Sequence, residues 1–257
     1  MRNLLLLACL SVCLTGNADA ARKIKKSAPV PAFSAQSFVV ADNSGQILKE
    51  QDGESVRPIA SITKLMVGLL ASEQDQNEQL DIPRTRLVQS SIPKNTNTMT
   101  RKELLTLALV RSDNFAAQVL CNNIENCVEK MNQRAAEIGM SNTNFNEPTG
   151  LDRGNVSTAH DLLKLMVAVS TNAILSDLSR MPSAEINAQG RTIKVRNTNP
   201  LTSKLDIVMS KTGFTNPAGG CLVMMMNSEV GQRIFILLGS RNAKTRIPDM
   251  ERLVRDL

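Results

Sequence analysis

The 257 residues are enough for one sizeable domain, and a hydrophobic share of 42% can fill its core. A net charge of +6 favours polyanions, yet 2% aromatic residues with no Trp and no Tyr leave only Phe to stack on bases, which argues against a nucleic-acid partner. One His and scattered Cys give no ligand spacing for a metal, and no motif calls for another cofactor.

The chain opens with Arg2, an apolar run from Leu4 to Leu14, and Ala18-Asp19-Ala20, which together read as an export signal (1–20) cleaved near Ala20. A lipoprotein signal ending at Cys9 or Cys13 is the alternative, disfavoured by Val12 before Cys13 and by the short apolar run before Cys9. Export predicts a periplasmic protein and adds to the case against nucleic acid. Residues 21–32 are basic, contain Pro29 and Pro31, and read as a solvated tether. No later stretch approaches the roughly 20 apolar residues that cross a bilayer, so no stable membrane anchor is expected.

A single domain is expected over 33–257. Residues 37–41 and 46–50 flank Asp42-Asn43-Ser44-Gly45 and predict a hairpin. After Pro58, residues 61–71 read as a buried helix. Thr100-Arg101-Lys102-Glu103 fits a capping box opening a Leu-rich helix to about Arg111, with further helices over 114–120 and 125–138 and Gly139 as a stop. A loop rich in Asn, Pro and Gly follows, then a helix capped by Ser157 or Thr158 and running to about Val169. Strands are predicted over 192–196, 207–214, 221–227 and 233–240, with a closing helix after Pro248. Strands at both ends with helices between imply an α/β (α+β) fold, in which an all-helical lobe, 72–180, is inserted into a sheet built from both termini.

Ser61-Ile62-Thr63-Lys64 has the S-x-x-K spacing, which places a hydroxyl and an amine side by side at the start of a helix. There the Ser61 backbone N–H can help hold an oxyanion, and burial can lower the Lys64 pKa until it serves as a base. Ser112-Asp113-Asn114 matches S-x-N: its Ser can relay a proton, and its Asn can hold Lys64 and a substrate carbonyl. Lys211-Thr212-Gly213, on a predicted strand, offers a cation and a hydroxyl to a substrate carboxylate, with Phe214 N–H as second oxyanion donor.

Each motif has a bland reading. S-x-x-K recurs at Ser91-Ile92-Pro93-Lys94, and S-x-N recurs at Ser170-Thr171-Asn172 and Ser240-Arg241-Asn242, where cap or loop roles are expected. Specificity comes from the three motifs occurring in order, each on the element its role requires. A Ser-His-Asp or Cys-His site would have to use His160, in the first turn of a predicted helix, where a surface or cap role is usual. Cys121 and Cys127 are close enough to bridge if one helix ends and another starts between them, whereas one continuous helix would point them apart. Cys221 lies in an apolar run and reads as core.

With these motifs on Arg57-Pro58-Ile59-Ala60-Ser61-Ile62-Thr63-Lys64-Leu65-Met66, Glu147-Pro148-Thr149-Gly150-Leu151, Arg196-Asn197-Thr198-Asn199 and Lys211-Thr212-Gly213-Phe214-Thr215-Asn216, the chain resembles the low-molecular-mass penicillin-binding proteins, nearest to their D-alanyl-D-alanine endopeptidase branch. The resemblance implies a β-lactamase/transpeptidase-like antiparallel sheet flanked by terminal helices, and an acyl-enzyme on Ser61 that water hydrolyses. It also implies peptidoglycan stem peptides as substrate, β-lactam antibiotics as covalent inhibitors, and a monomer. Many carboxypeptidase relatives continue into a second β domain and an amphipathic anchor; the end at Leu257 leads us to expect neither. The rival readings are a carboxypeptidase of the same family, a class A-like β-lactamase using Glu147 for deacylation, and a silent wall-binding protein. In class A enzymes that Glu is followed three and four positions on by Leu and Asn, where this chain has Gly150 and Leu151.

Overall fold

The computed structural model describes residues 33–85 and 89–256; the expected signal and tether lie outside the described residues. A five-stranded antiparallel sheet is built from β1 (Ser37–Asp42), β2 (Ile47–Gln51) and three C-terminal strands, β9 (Ile207–Thr215), β10 (Gly219–Ser228) and β11 (Gly231–Ser240). Its spatial order is β2-β1-β11-β10-β9, so the two chain ends meet at the β1–β11 pair, with Val39 opposite Ile236. The antiparallel sheet joined from both termini is the expected one.

The first hairpin closes because the Asp42 carboxylate accepts from Ser44 N–H, Ser44 Oγ and Gln46 N–H, while Gly45 supplies a φ of 90°. The inner strands β1, β11 and β10 are buried on both faces and read as largely apolar runs, whereas the edge strand β2 is exposed throughout. Val39, Ala41, Val223, Met225, Ile234 and Ile236 face the larger core. Their alternates Phe38, Val40, Leu222, Met224, Phe235 and Leu237 face the smaller core, closed by Met250 and Leu253 of α7 (Arg246–Arg255). Pro248 falls inside the first turn of α7 rather than before it, a position where its missing N–H breaks no intrahelical bond.

Between the two halves of the sheet the chain makes α1 (Lys64–Ser72), α2 (Arg101–Thr106), α3 (Asn114–Asn122), α4 (Cys127–Glu137), α5 (Ala159–Ser170) and α6 (Ala173–Ser179). α1 is the central helix, buried from Lys64 to Ala71. The capping box on Thr100 and Glu103 is formed as expected, and Thr158 rather than Ser157 caps α5. The inserted helices are not set apart from the sheet, because α5 packs on β1, β10 and β11 and α6 packs on β9.

Short strands escaped the sequence reading: β3 (Arg57–Pro58) pairs with β6 (Val156–Ser157), and β4 (Gln79–Asp81) with β5 (Thr98–Thr100). β7 (Ser183–Ala188) is the unanticipated partner of β8 (Arg191–Arg196). The two residues between them, Gln189 and Gly190, both take positive φ, which suits the twist of a two-residue hairpin.

Candidate active site

Ser61 lies on a single 3₁₀ turn, Ala60–Thr63, rather than on the first turn of an α-helix. Residues i and i+3 eclipse at three residues per turn, so the S-x-x-K spacing stacks Ser61 directly against Lys64, the first residue of α1. The β3–β6 pair and the Ile59 N–H to Asn155 carbonyl bond fix where this turn begins. Thr63 Oγ1 donates back to the Ala60 carbonyl at 2.8 Å, and Ala60 itself holds a φ of 47°, a strained conformation for a residue other than Gly.

Lys64 is fully buried, with Nζ 2.9 Å from Ser61 Oγ, 2.7 Å from Asn114 Oδ1 and 2.6 Å from the Thr149 carbonyl. Burial pulls its pKa down to about 7, against the opposing pull of the Glu147 and Asp113 carboxylates. A neutral amine has two N–H donors and one lone pair. With Asn114 Oδ1 and the Thr149 carbonyl taking the donors, the lone pair is left for the Ser61 O–H, the arrangement a general base requires.

The second motif reaches the site through a break between helices. α2 continues as a wider turn over Leu107–Arg111, Ser112 takes left-handed angles (φ 61°), and Asp113 caps α3 by accepting from Ala116 N–H. Asn114 is thereby aimed at Lys64, while Ser112 Oγ accepts from Lys211 Nζ at 2.8 Å. Lys211 is buried on β9, and desolvation, followed by the Lys64 and Arg246 cations, pushes its pKa well below the ordinary lysine range. An incoming carboxylate would favour its protonated form. Thr212 Oγ1 lies 2.6 Å from Thr198 Oγ1.

Two glycines clasp the Ser61 turn. A Cβ on Gly213 would stand 2.8 Å from the Ile59 carbonyl oxygen and 3.1 Å from Ser61 N, so β9 approaches the turn as closely as backbone allows. A Cβ on Gly150 would fall 1.9 Å from the Ala60 carbonyl oxygen, at a φ of 82° that side chains avoid. Ser61, Lys64, Ser112, Asn114, Lys211, Thr212 and Gly213 are thus brought together, and Phe214, 42% exposed, follows on the same strand.

Four participants were not legible beforehand: the Thr149 carbonyl, Thr198, Asp113 and Arg246. The last is buried and donates from Nη1 to the Gly213 carbonyl at 2.8 Å. The closing helix was expected only after Pro248, so Arg246 had no sequence signal of its own. The repeated motifs have structural uses instead. Ser91 N–H and Ser90 Oγ bond Asp113, and Lys94 is exposed. Asn172 caps α6, Ser240 Oγ donates to Asp249, and Asn242 accepts from Lys244 and Thr245 N–H. His160 pairs with Glu50 and Glu54, and none of its partners belongs to the cluster around Ser61. Cys121 and Cys127 form a disulfide across the α3–α4 break, while Cys221 is a free, buried thiol that burial pushes up to about 11.

A profile of the D-alanyl-D-alanine carboxypeptidase family matches residues 23–242. The chain belongs to this family. It is 34% identical over 243 residues to a D-alanyl-D-alanine endopeptidase of Escherichia coli (88% of this chain, 78% of the relative). It is 36% identical over 237 residues to one of Pseudomonas aeruginosa (86% and 76%). Among solved structures, penicillin-binding protein D2 of Listeria monocytogenes in its ampicillin-bound form superposes with a TM-score of 0.78 at 30% identity, covering 87% of this chain and 97% of that one. The sheet and its inserted helices are therefore a penicillin-binding fold, and this D-alanyl-D-alanine carboxypeptidase family member is a serine-type hydrolase.

Proposed function

We propose that the protein is an exported endopeptidase that hydrolyses the D-alanyl cross-link of peptidoglycan, with Ser61 as nucleophile and Lys64 as its base. The observation that carries this reading is the Lys64 amine, buried, 2.9 Å from Ser61 Oγ, with two oxygen acceptors on its remaining sides. Lys64 Nζ takes the Ser61 proton as Oγ adds to the D-alanyl carbonyl carbon. The backbone N–H groups of Ser61 and Phe214 hold the oxyanion. The C–N bond then breaks, and the leaving amine receives its proton from Lys64 through Ser112. Water, deprotonated by the same base, hydrolyses the ester and frees Ser61. Lys211 and Thr212 receive a substrate carboxylate, Asn114 orients the substrate carbonyl together with Lys64, and no metal or cofactor takes part.

A β-lactam carbonyl would be attacked in the same way, giving a covalent adduct. The Listeria structures with bound ampicillin and cefotaxime support this for the family. Export to the periplasm is supported by the signal-like 1–20 segment and by the Cys121–Cys127 disulfide, which persists in an oxidising compartment. Among the described residues no single helix is long and apolar enough to cross a membrane. We further propose that the protein acts as a monomer.

Purified cross-linked muropeptide dimer, incubated with the mature protein and separated by chromatography, is expected to yield monomers with wild type and none with Ser61→Ala. Trimming of pentapeptides alone would assign a carboxypeptidase; binding without products would assign a silent wall-binding protein. Rapid turnover of a chromogenic cephalosporin would assign a β-lactamase.

A further inference from the structure

The loop that hands Lys64 its third partner is organised by one side chain. Glu147 Oε2 accepts from Thr149 N–H at 2.7 Å and Thr149 Oγ1 at 2.5 Å, and Oε1 accepts from Gly150 N–H at 2.5 Å and Asn155 Nδ2 at 2.9 Å. Asp152 N–H adds a longer contact at 3.4 Å. A carboxylate has about four acceptor positions, so this one is saturated by its own loop and has none left to activate a water. Asn155, fully buried, carries the order onward, since its Nδ2 also reaches Thr63 Oγ1 at 3.1 Å inside the nucleophile turn. Gly150, next to the carbonyl that Lys64 uses, lies against the Ala60 carbonyl.

We propose that Glu147 is a positioning residue for the acid–base centre: by gathering Thr149, Gly150 and Asn155 around its carboxylate, it holds the 147–155 loop on the Ser61 turn and keeps the Thr149 carbonyl where Lys64 donates to it. Without that acceptor one N–H of the amine has no fixed partner, and the lone pair is no longer directed at the Ser61 hydroxyl. Only an ionised carboxylate matches this set of donors, because an amide turns one of its two ends into a donor. The same charge faces Lys64, as do Asp113 at the cap of α3 and Lys211 on β9. This inference rests on the proposed roles of Ser61 and Lys64.

The test is the rate of acylation by a labelled penicillin, followed across pH on the mature protein, with thermal melting as a check on folding. Glu147→Gln is expected to lower the plateau rate about tenfold or more and to move the acid limb to lower pH, because the charge favouring protonated Lys64 is gone. Thr149→Val removes the two bonds of Thr149 Oγ1, to Glu147 Oε2 and from Leu151 N–H, but keeps the charge, and is expected to lower the plateau with the limb in place. Glu147→Gln reacting as wild type at every pH, or losing rate with an unmoved limb, overturns the proposal. Should Glu147→Gln not fold, a wild-type plateau in Thr149→Val does the same. Failure of the underlying function looks different: wild type would not be labelled at all, or Ser61→Ala would still be labelled.

Discussion

Ser61-Ile62-Thr63-Lys64 and Ser91-Ile92-Pro93-Lys94 share three of four letters, and in both the isoleucine is buried. Only the first is followed by an apolar helix, whose burial from Lys64 to Ala71 carries the amine out of solvent. In the second, Pro93 and the polar residues after it leave Lys94 exposed, and Ser91 serves a backbone bond to Asp113. The spacing of hydroxyl and amine is therefore common currency. What makes chemistry of it is desolvation, which an exposed lysine never experiences.

The largest test of that contrast is substitution of the two copies. Ser61→Ala or Lys64→Met should reduce penicillin acylation by about a thousandfold or more. Ser91→Ala and Lys94→Ala should leave it within about twofold, measured by the same labelling, since Ser91 bonds Asp113 through its backbone N–H, which alanine keeps, and Lys94 is exposed. Gly150→Ala probes the packing that holds the first copy: with its Cβ placed on the Ala60 carbonyl oxygen, it should lower stability by about 3 kcal/mol or more in denaturant titration and depress acylation with it.

The pH profile sharpens the comparison further. In the proposed mechanism Lys64 must be neutral to accept the Ser61 proton, and its pKa is lowered to about 7, so acylation should rise with pH through that value and flatten above it. An exposed amine would still be protonated there, and a limb near the usual lysine range of about 10 would refute desolvation as the activating force. Smallest among these effects, Cys121→Ser with Cys127→Ser should cost about 2 kcal/mol in melting experiments, as expected for a short bridged loop, and leave the acylation profile in place.

Much of this molecule was legible in one dimension. The hairpin after Val40, the capping box at Thr100 and the helix stop at Gly139 depend on contacts within a few residues, so their sequence signals are local and complete. β3, β6 and β7 were missed because short strands carry little periodicity and exist through their partners, some of which are distant in sequence. The 3₁₀ turn under Ser61 was missed for a related reason. It is held by Asn155 and pressed by Gly150 and Gly213, all far along the chain.

The order of residues along the chain supplies the chemical parts: a hydroxyl, two lysines, an amide and the glycines that let backbone come close. Side-chain chemistry and local spacing are written there directly. The tertiary structure alone decided that Asn114 and the Thr149 carbonyl occupy the two N–H groups of Lys64, and that Arg246 stands behind Gly213. Those are facts about distance and dielectric, which arise only when segments 50 and 85 residues apart are packed together with water excluded.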